Sequence, residues 1–210
     1  MRTIFVVTHP ESAHHVEKRV GGWFDTGLTK RGQAQAGAIA QALLARIGSR
    51  PVEIVSSDLL RASETADTIA DLFRTGITVN RDLRDISYGA AEGRPQDWLD
   101  LRHESIPDDD RLDYRNSMVG GETRREVATR IYGAMDTIMA RPCDCQIVVT
   151  HGFALTFVVA KWIGMPIPAA GWVAFRAPSG SITHLEQDDL WQSRALVSLG
   201  DVAHLEAGAD

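Results

Sequence analysis

Hydrophobic positions in this chain come in two patterns: short unbroken runs, and stretches in which they recur every three or four residues. The run Ile4-Phe5-Val6-Val7, closed by polar Thr8-His9, predicts a buried strand over 3–7 that feeds a loop. Residues 30–47 are rich in Ala and Gln and carry Ile39, Leu43 and Ile47 four apart, which predicts an amphipathic helix. The alternation continues with a strand over 52–55, a helix capped by Asp58 and running to about Phe73, and a strand over 77–79. Residues 94–119 interrupt it with Pro95, Pro107 and Asp108-Asp109-Asp110, and read as an inserted surface loop or lid. Beyond Gly120-Gly121 a helix over about 122–139 places Val127, Ile131, Met135 and Ile138 on one face. A strand over 146–150 and a buried helix over 153–163 follow, then short strands over 173–175, 181–186 and 195–199, with a frayed tail after Leu205. This alternation predicts one α/β domain over 1–210, with a mostly parallel central sheet, helices on both faces and 94–119 inserted over the strand ends.

Composition narrows the functional classes. A net charge of −6 and a pI near 5.6 give no footprint for nucleic acid or an anionic membrane. A local pocket among the 22 Lys and Arg can still hold a small anion. The chain enters a strand almost at once, without a secretory apolar region or a long apolar span, so a cytoplasmic location is expected. Cys143 and Cys145, one residue apart, suit neither a structural zinc site nor a disulfide framework.

Two segments share one design: Val6-Val7-Thr8-His9 and Val148-Val149-Thr150-His151 each end an apolar run in Thr-His. Open α/β sheets bind ligands at the carboxyl ends of their strands, so both histidines are candidates for one pocket. A single histidine in that position is more often a structural hydrogen-bonder. Arg61, at the start of a helix that follows a strand, adds a guanidinium suited to phosphate oxygens. His9, His14 and His15 lack the i, i+4 spacing and carboxylates of a metal site, so no metal is expected. Trp23, Trp98 and Trp172 fit core packing or the wall of a cavity.

The run Thr8-His9-Pro10-Glu11-Ser12, followed by Gly22 through Ala34, resembles the opening of the histidine phosphatase superfamily, also called the phosphoglycerate mutase-like family. Ser56 through Ala66 is similar to its second arginine motif, and Leu83-Arg84-Asp85 with Tyr88-Gly89 and Glu92-Gly93 to its acid-bearing segment. Gly120-Gly121-Glu122, Val149-Thr150-His151-Gly152 and Leu199 through Leu205 resemble its later blocks, in family order. The resemblance implies phosphoryl chemistry on a small phosphate ester through a phosphohistidine, with no cofactor. His9 would be the phosphoryl-accepting nucleophile, His151 and Arg61 donors to phosphoryl oxygens, and Asp85 the general acid, with Asp82 as its substitute. Thr8, Ser12, His15 and Gly152 would surround the phosphate.

The departures are specific. The family's Arg-His-Gly is Thr8-His9-Pro10 here, and its Asn six residues after the nucleophile is His15. One phosphate-gripping Arg is absent. A hydrogen bond to a charged group contributes about 1.5–3 kcal/mol, roughly one to two powers of ten in rate. Lys18, Arg19, Arg84, His14 and His15 are candidates to compensate. Hydrolysis is expected over mutase-type transfer, because a short acidic insert repels phosphoglycerates. A phosphate-ligand binder with weakened turnover is the further alternative. A homodimer is left open, and the sequence does not identify the substrate.

Overall fold

Each predicted βα unit forms in the computed structural model, which describes residues 1–102, 111–115 and 119–206. Six strands make one sheet in the order β3-β2-β4-β1-β5-β6. They are β1 Arg2–Thr8, β2 Glu53–Ser56, β3 Ile77–Val79, β4 Cys145–Thr150, β5 Ile182–Gln187 and β6 Arg194–Asp201. The first four in that order are parallel, and β5 and β6 close one side antiparallel. Phe5, Val7, Ile54, Ile147 and Val149 are buried on the face covered by α2 (Lys30–Ile47) and α3 (Leu60–Phe73). Ile4, Val6, Val55 and Val148 are buried on the other, under α5 (Arg124–Met139) and α6 (Gly152–Trp162). Burial on both faces explains why these strands read as unbroken apolar runs rather than alternating ones.

Local chemistry sets the helix starts. The Thr29 hydroxyl caps α2 by accepting from Gly32 N–H. A Cβ on Gly32 would lie 1.9 Å from Glu11 O, so only glycine lets α2 approach the loop after β1 this closely. Asp58, expected to cap α3, does not: its carboxylate takes two bonds from Arg84 at 2.6 Å. Asp25 instead accepts from Leu60 N–H. α5 starts two residues later than expected, behind a Thr123–Glu126 capping box.

Other expectations are corrected. Residues 173–175 form no strand, and Ala203–Glu206 form a short helix (α8) with Leu205 packed on the core, while the tail expected to fray after Leu205 lies, beyond Glu206, outside the described residues. The short helices α1 (Ala13–Val16), α4 (Gln96–Asp100) and α7 (Ile167–Ala170) are too brief to leave a periodic signal. α4 falls in the expected insert, whereas Pro107 and Asp108-Asp109-Asp110 lie outside the described residues. Trp98 packs against Val20, Ala91 and Leu99, whereas Trp172 is exposed. Both cysteines are free. Among the described residues no helix is long and apolar enough to cross a membrane.

Candidate active site

β1 and β4 pair with Thr8 opposite Thr150, so His9 and His151 leave the sheet side by side. Their rings meet edge to face, with centroids 5.1 Å apart. The strand on the far side of β4, β2, delivers Ser57 and then α3, whose first turn carries Arg61. His9 is held by its backbone: its N–H donates to Thr150 O, and its carbonyl accepts from Gly180 N–H and Ser179 Oγ.

The side-chain contacts of His9 assign its tautomer. Its Nδ1 lies 2.9 Å from the Pro10 carbonyl, which only accepts, so Nδ1 carries the proton. Arg61 Nε, which only donates, lies 3.1 Å from His9 Nε2. The Nε2 lone pair therefore faces the guanidinium. Arg61 is fully buried and also donates to Phe24 O and Gly22 O at 3.1 and 2.7 Å. Gly22 has φ +60, and a Cβ there would crowd Ile86 O, so the turn that presents its carbonyl requires glycine.

His151 caps α6, and its Nε2 lies 2.9 Å from Ser57 Oγ. Its Nδ1 is buried without a hydrogen-bond partner among the described residues, as is Asp85 Oδ1. The Asp85 carboxyl lies at the first turn of α6, near Ala154 N–H, and feels the charge of Arg61. Asp82 is exposed and takes no part in this cluster.

Ser12, His14 and His15 join the group. Ser12 is fully buried, with Oγ 3.0 Å from His14 Nδ1 and 3.4 Å from His15 Nδ1. The His15 ring stacks on His9 at 5.4 Å. Gly152 opens α6 beside His151. The Thr8 hydroxyl, expected beside the phosphate, donates instead to Pro178 O at 2.7 Å and accepts from Ser181 N–H, so it ties β1 to the approach of β5. Arg84 is bound to Asp58, and Arg19 to Glu17 and Gly93 O. A groove of about 600 Å³ runs past His15 between Lys18, Arg19, Gln96 and Asp97. Among the described residues no three His, Cys, Asp or Glu side chains are placed to hold a metal ion.

Electrostatics keep the histidines neutral. Burial, and then the charge of Arg61, hold His9 and His151 well below the usual imidazole range. Burial, His15 and Arg61 lower His14 to about 3. A depressed folded pKa gives stability that is present above the unfolded value, about 6.5, and is lost as pH falls below it. Each of these groups adds a slope of up to about 1.4 kcal/mol per pH unit below that value. Urea titrations between pH 7.5 and 4.5 should therefore show stability falling from about pH 6.5 downward. His14→Asn should shed its share of that slope.

Asp85 is shifted the opposite way. Burial raises its pKa, with Arg61 opposing. A raised carboxyl pKa gives stability that is full below the unfolded value and lost as pH rises through the folded one. Asp85→Asn should therefore raise Tm at pH 7, by about 2–4 °C per kcal/mol relieved, and raise it less at pH 4. Calorimetry at both pH values measures this, and turnover should fall in the same variant.

Ser57, Gly22 and Phe24 are site residues that motif reading does not single out. Ser57 had a signal, since it ends the β2 run as His9 ends β1, whereas the two carbonyl contacts depend on a fold-back that spacing does not encode.

The family model described as Histidine phosphatase superfamily (branch 1) matches residues 4–199. A protein of Salmonella paratyphi C (strain RKS4594) named a probable phosphoglycerate mutase, GpmB, is 30% identical over 222 residues, covering 100% of this chain and 97% of its own. Among solved structures, a mycobacterial glucosyl-3-phosphoglycerate phosphatase complexed with VO3 has a TM-score of 0.79 at 24% identity, covering 96% of this chain and 100% of that one. An alpha-ribazole phosphatase from Shigella flexneri has a TM-score of 0.77 at 21% identity, covering 95% and 96%. At these identities the two structures speak for the fold.

Proposed function

We propose, for a chain that belongs to the histidine phosphatase superfamily, that it hydrolyses a small phosphate monoester through a phosphohistidine on His9. The observation that carries this is the His9 tautomer: Nδ1–H is spent on Pro10 O, and the Nε2 lone pair is held on Arg61. A neutral imidazole fixed this way is a competent nucleophile, and the Pro10 carbonyl stabilises the positive ring formed on attack.

In the first step His9 Nε2 bonds to phosphorus and the ester P–O bond breaks, with the leaving oxygen taking its proton from Asp85. As the substrate arrives, the Arg61 Nε–H moves from the lone pair to a phosphoryl oxygen, joined by the two guanidinium N–H groups not used on Gly22 and Phe24. Ser57 Oγ accepts from Leu59 N–H, so its own proton can go to His151 Nε2. That leaves His151 Nδ1–H as a donor toward the phosphoryl group. In the second step Asp85 takes a proton from water, water oxygen bonds to phosphorus, and the P–N bond breaks to restore His9. The raised pKa of Asp85 suits it to begin the cycle protonated.

A second reading, phosphoryl transfer within a phosphoglycerate, is favoured by the name of the relative at 30% identity. Hydrolysis is preferred because two of the cations that could compensate for Thr8 are committed, Arg84 and Arg19 each holding a carboxylate, which leaves Lys18 on the groove past His15. A second anionic group on the substrate would therefore find few donors. A panel of phosphate esters that includes 3-phosphoglycerate tests both readings. Steady release of inorganic phosphate supports hydrolysis, isomerisation without release supports the mutase, and tight phosphate binding with neither supports a binding protein.

A further inference from the structure

Asp85 lies in irregular chain between the 3-10 turns Arg81–Leu83 and Gly89–Ala91, yet a general acid must hold hydrogen-bonding geometry to its leaving oxygen. The segment is gripped from outside. Arg130, on α5, donates from Nη1 to Asp82 O and Arg84 O at 2.8 and 2.7 Å, and from Nη2 to Asp85 O at 2.7 Å. Its Nε and Nη2 reach the two oxygens of Glu122, both at 2.8 Å. Glu122 Oε2 also accepts from Ser87 N–H at 2.9 Å. Trp23 Nε1–H adds a further bond to Asp85 O at 2.8 Å.

A guanidinium has five N–H donors, and these five bonds use all of them. Arg130 therefore has none left for a substrate, although it is the cation nearest the backbone of the acid. Its charge is balanced by Glu122, and the two side chains are only 14% and 15% exposed. Three carbonyls of one segment converging on one planar fork fix that segment's path. A lysine, with three donors on one nitrogen, cannot reproduce this.

We propose that Arg130, held by Glu122, is a positioning residue that aims Asp85 at the leaving group. This rests on the hydrolytic reading above. A misaimed acid slows esters whose leaving group needs a proton far more than those whose leaving group departs as an anion. General acid catalysis contributes roughly 10²–10⁴-fold, so partial misplacement should remove about tenfold to hundredfold of the rate.

The test compares wild type with Arg130→Lys, Arg130→Met and Glu122→Gln, each first shown to be folded by its thermal melt. An alkyl phosphate and para-nitrophenyl phosphate serve as substrates, and orthovanadate as the binding probe. The alkyl ester should lose about tenfold to hundredfold in kcat in Arg130→Met, less in Arg130→Lys, with the aryl ester and vanadate affinity little changed. Equal losses on both esters, or none, would overturn the proposal. Hydrogen exchange of the Trp23 indole N–H, assigned with Trp23→Phe, reads the Asp85 carbonyl without turnover. It should accelerate in Arg130→Met, and in Glu122→Gln if the methionine variant does not fold. Unchanged exchange overturns the positioning claim even if wild type cleaves neither ester, a result that would instead remove the hydrolytic reading.

Discussion

His9→Ala should lower phosphate release by roughly four to six powers of ten while the protein stays folded, the scale on which loss of a nucleophile acts. The side chain makes two bonds, to Pro10 O and from Arg61 Nε. Its removal leaves one buried Arg61 N–H unpaired, at a cost of about 1–3 kcal/mol against a typical stability of about 5–15 kcal/mol. Phosphate release measured beside a thermal melt separates the two effects. A folded His9→Ala that keeps more than about a hundredth of wild-type turnover would exclude the covalent route.

Arg61 should behave differently, because it serves both fold and chemistry. Arg61→Ala leaves His9 Nε2 and Gly22 O without their donor in buried surroundings and Phe24 O without its donor in part-buried ones. Each orphaned group costs about 1–3 kcal/mol, so the variant should lose roughly 3–5 kcal/mol and Tm should fall by about 10 °C or more. Arg61→Lys keeps the charge, but one ammonium cannot serve acceptors arranged around a planar fork. It should fold, lose about 10²–10³-fold in kcat, and bind vanadate about tenfold more weakly. Wild-type kcat in a folded Arg61→Lys would show that the guanidinium does not touch the transferring group.

The sheet is readable in the chain because both faces of its parallel half are buried. Ile4 to Val7, Ile54-Val55 and Ile147 to Val149 can be unbroken apolar runs only under helices on both sides. The convergence of His9 and His151 is readable for a related reason: both follow Thr at the carboxyl end of such a run, and β1 and β4 pair in register at those threonines. Residue type and position fail where contacts are long-range. Asp58 looks like a helix cap, but Arg84 reaches it from beyond β3. Thr8 stands where the family places a phosphate-gripping Arg, yet Pro178 and Ser181 take its hydroxyl. The Arg130–Glu122 grip on the Asp85 segment joins two stretches whose spacing carries no pattern. Val173 and Phe175 alternate as a strand would, but Phe175 N–H is taken by Thr156 Oγ1 on α6 rather than by a neighbouring strand.

Trapping the covalent intermediate would show most directly whether His9 carries the phosphoryl group. The protein would be mixed with a phosphate ester that it turns over, quenched in alkali, where phosphohistidine survives, and its peptides sequenced by mass spectrometry. A covalent route through His9 places one phosphate on the peptide carrying His9, lost on acidification and absent in His9→Ala. Phosphate found on His151, with His9→Ala still active, would contradict it.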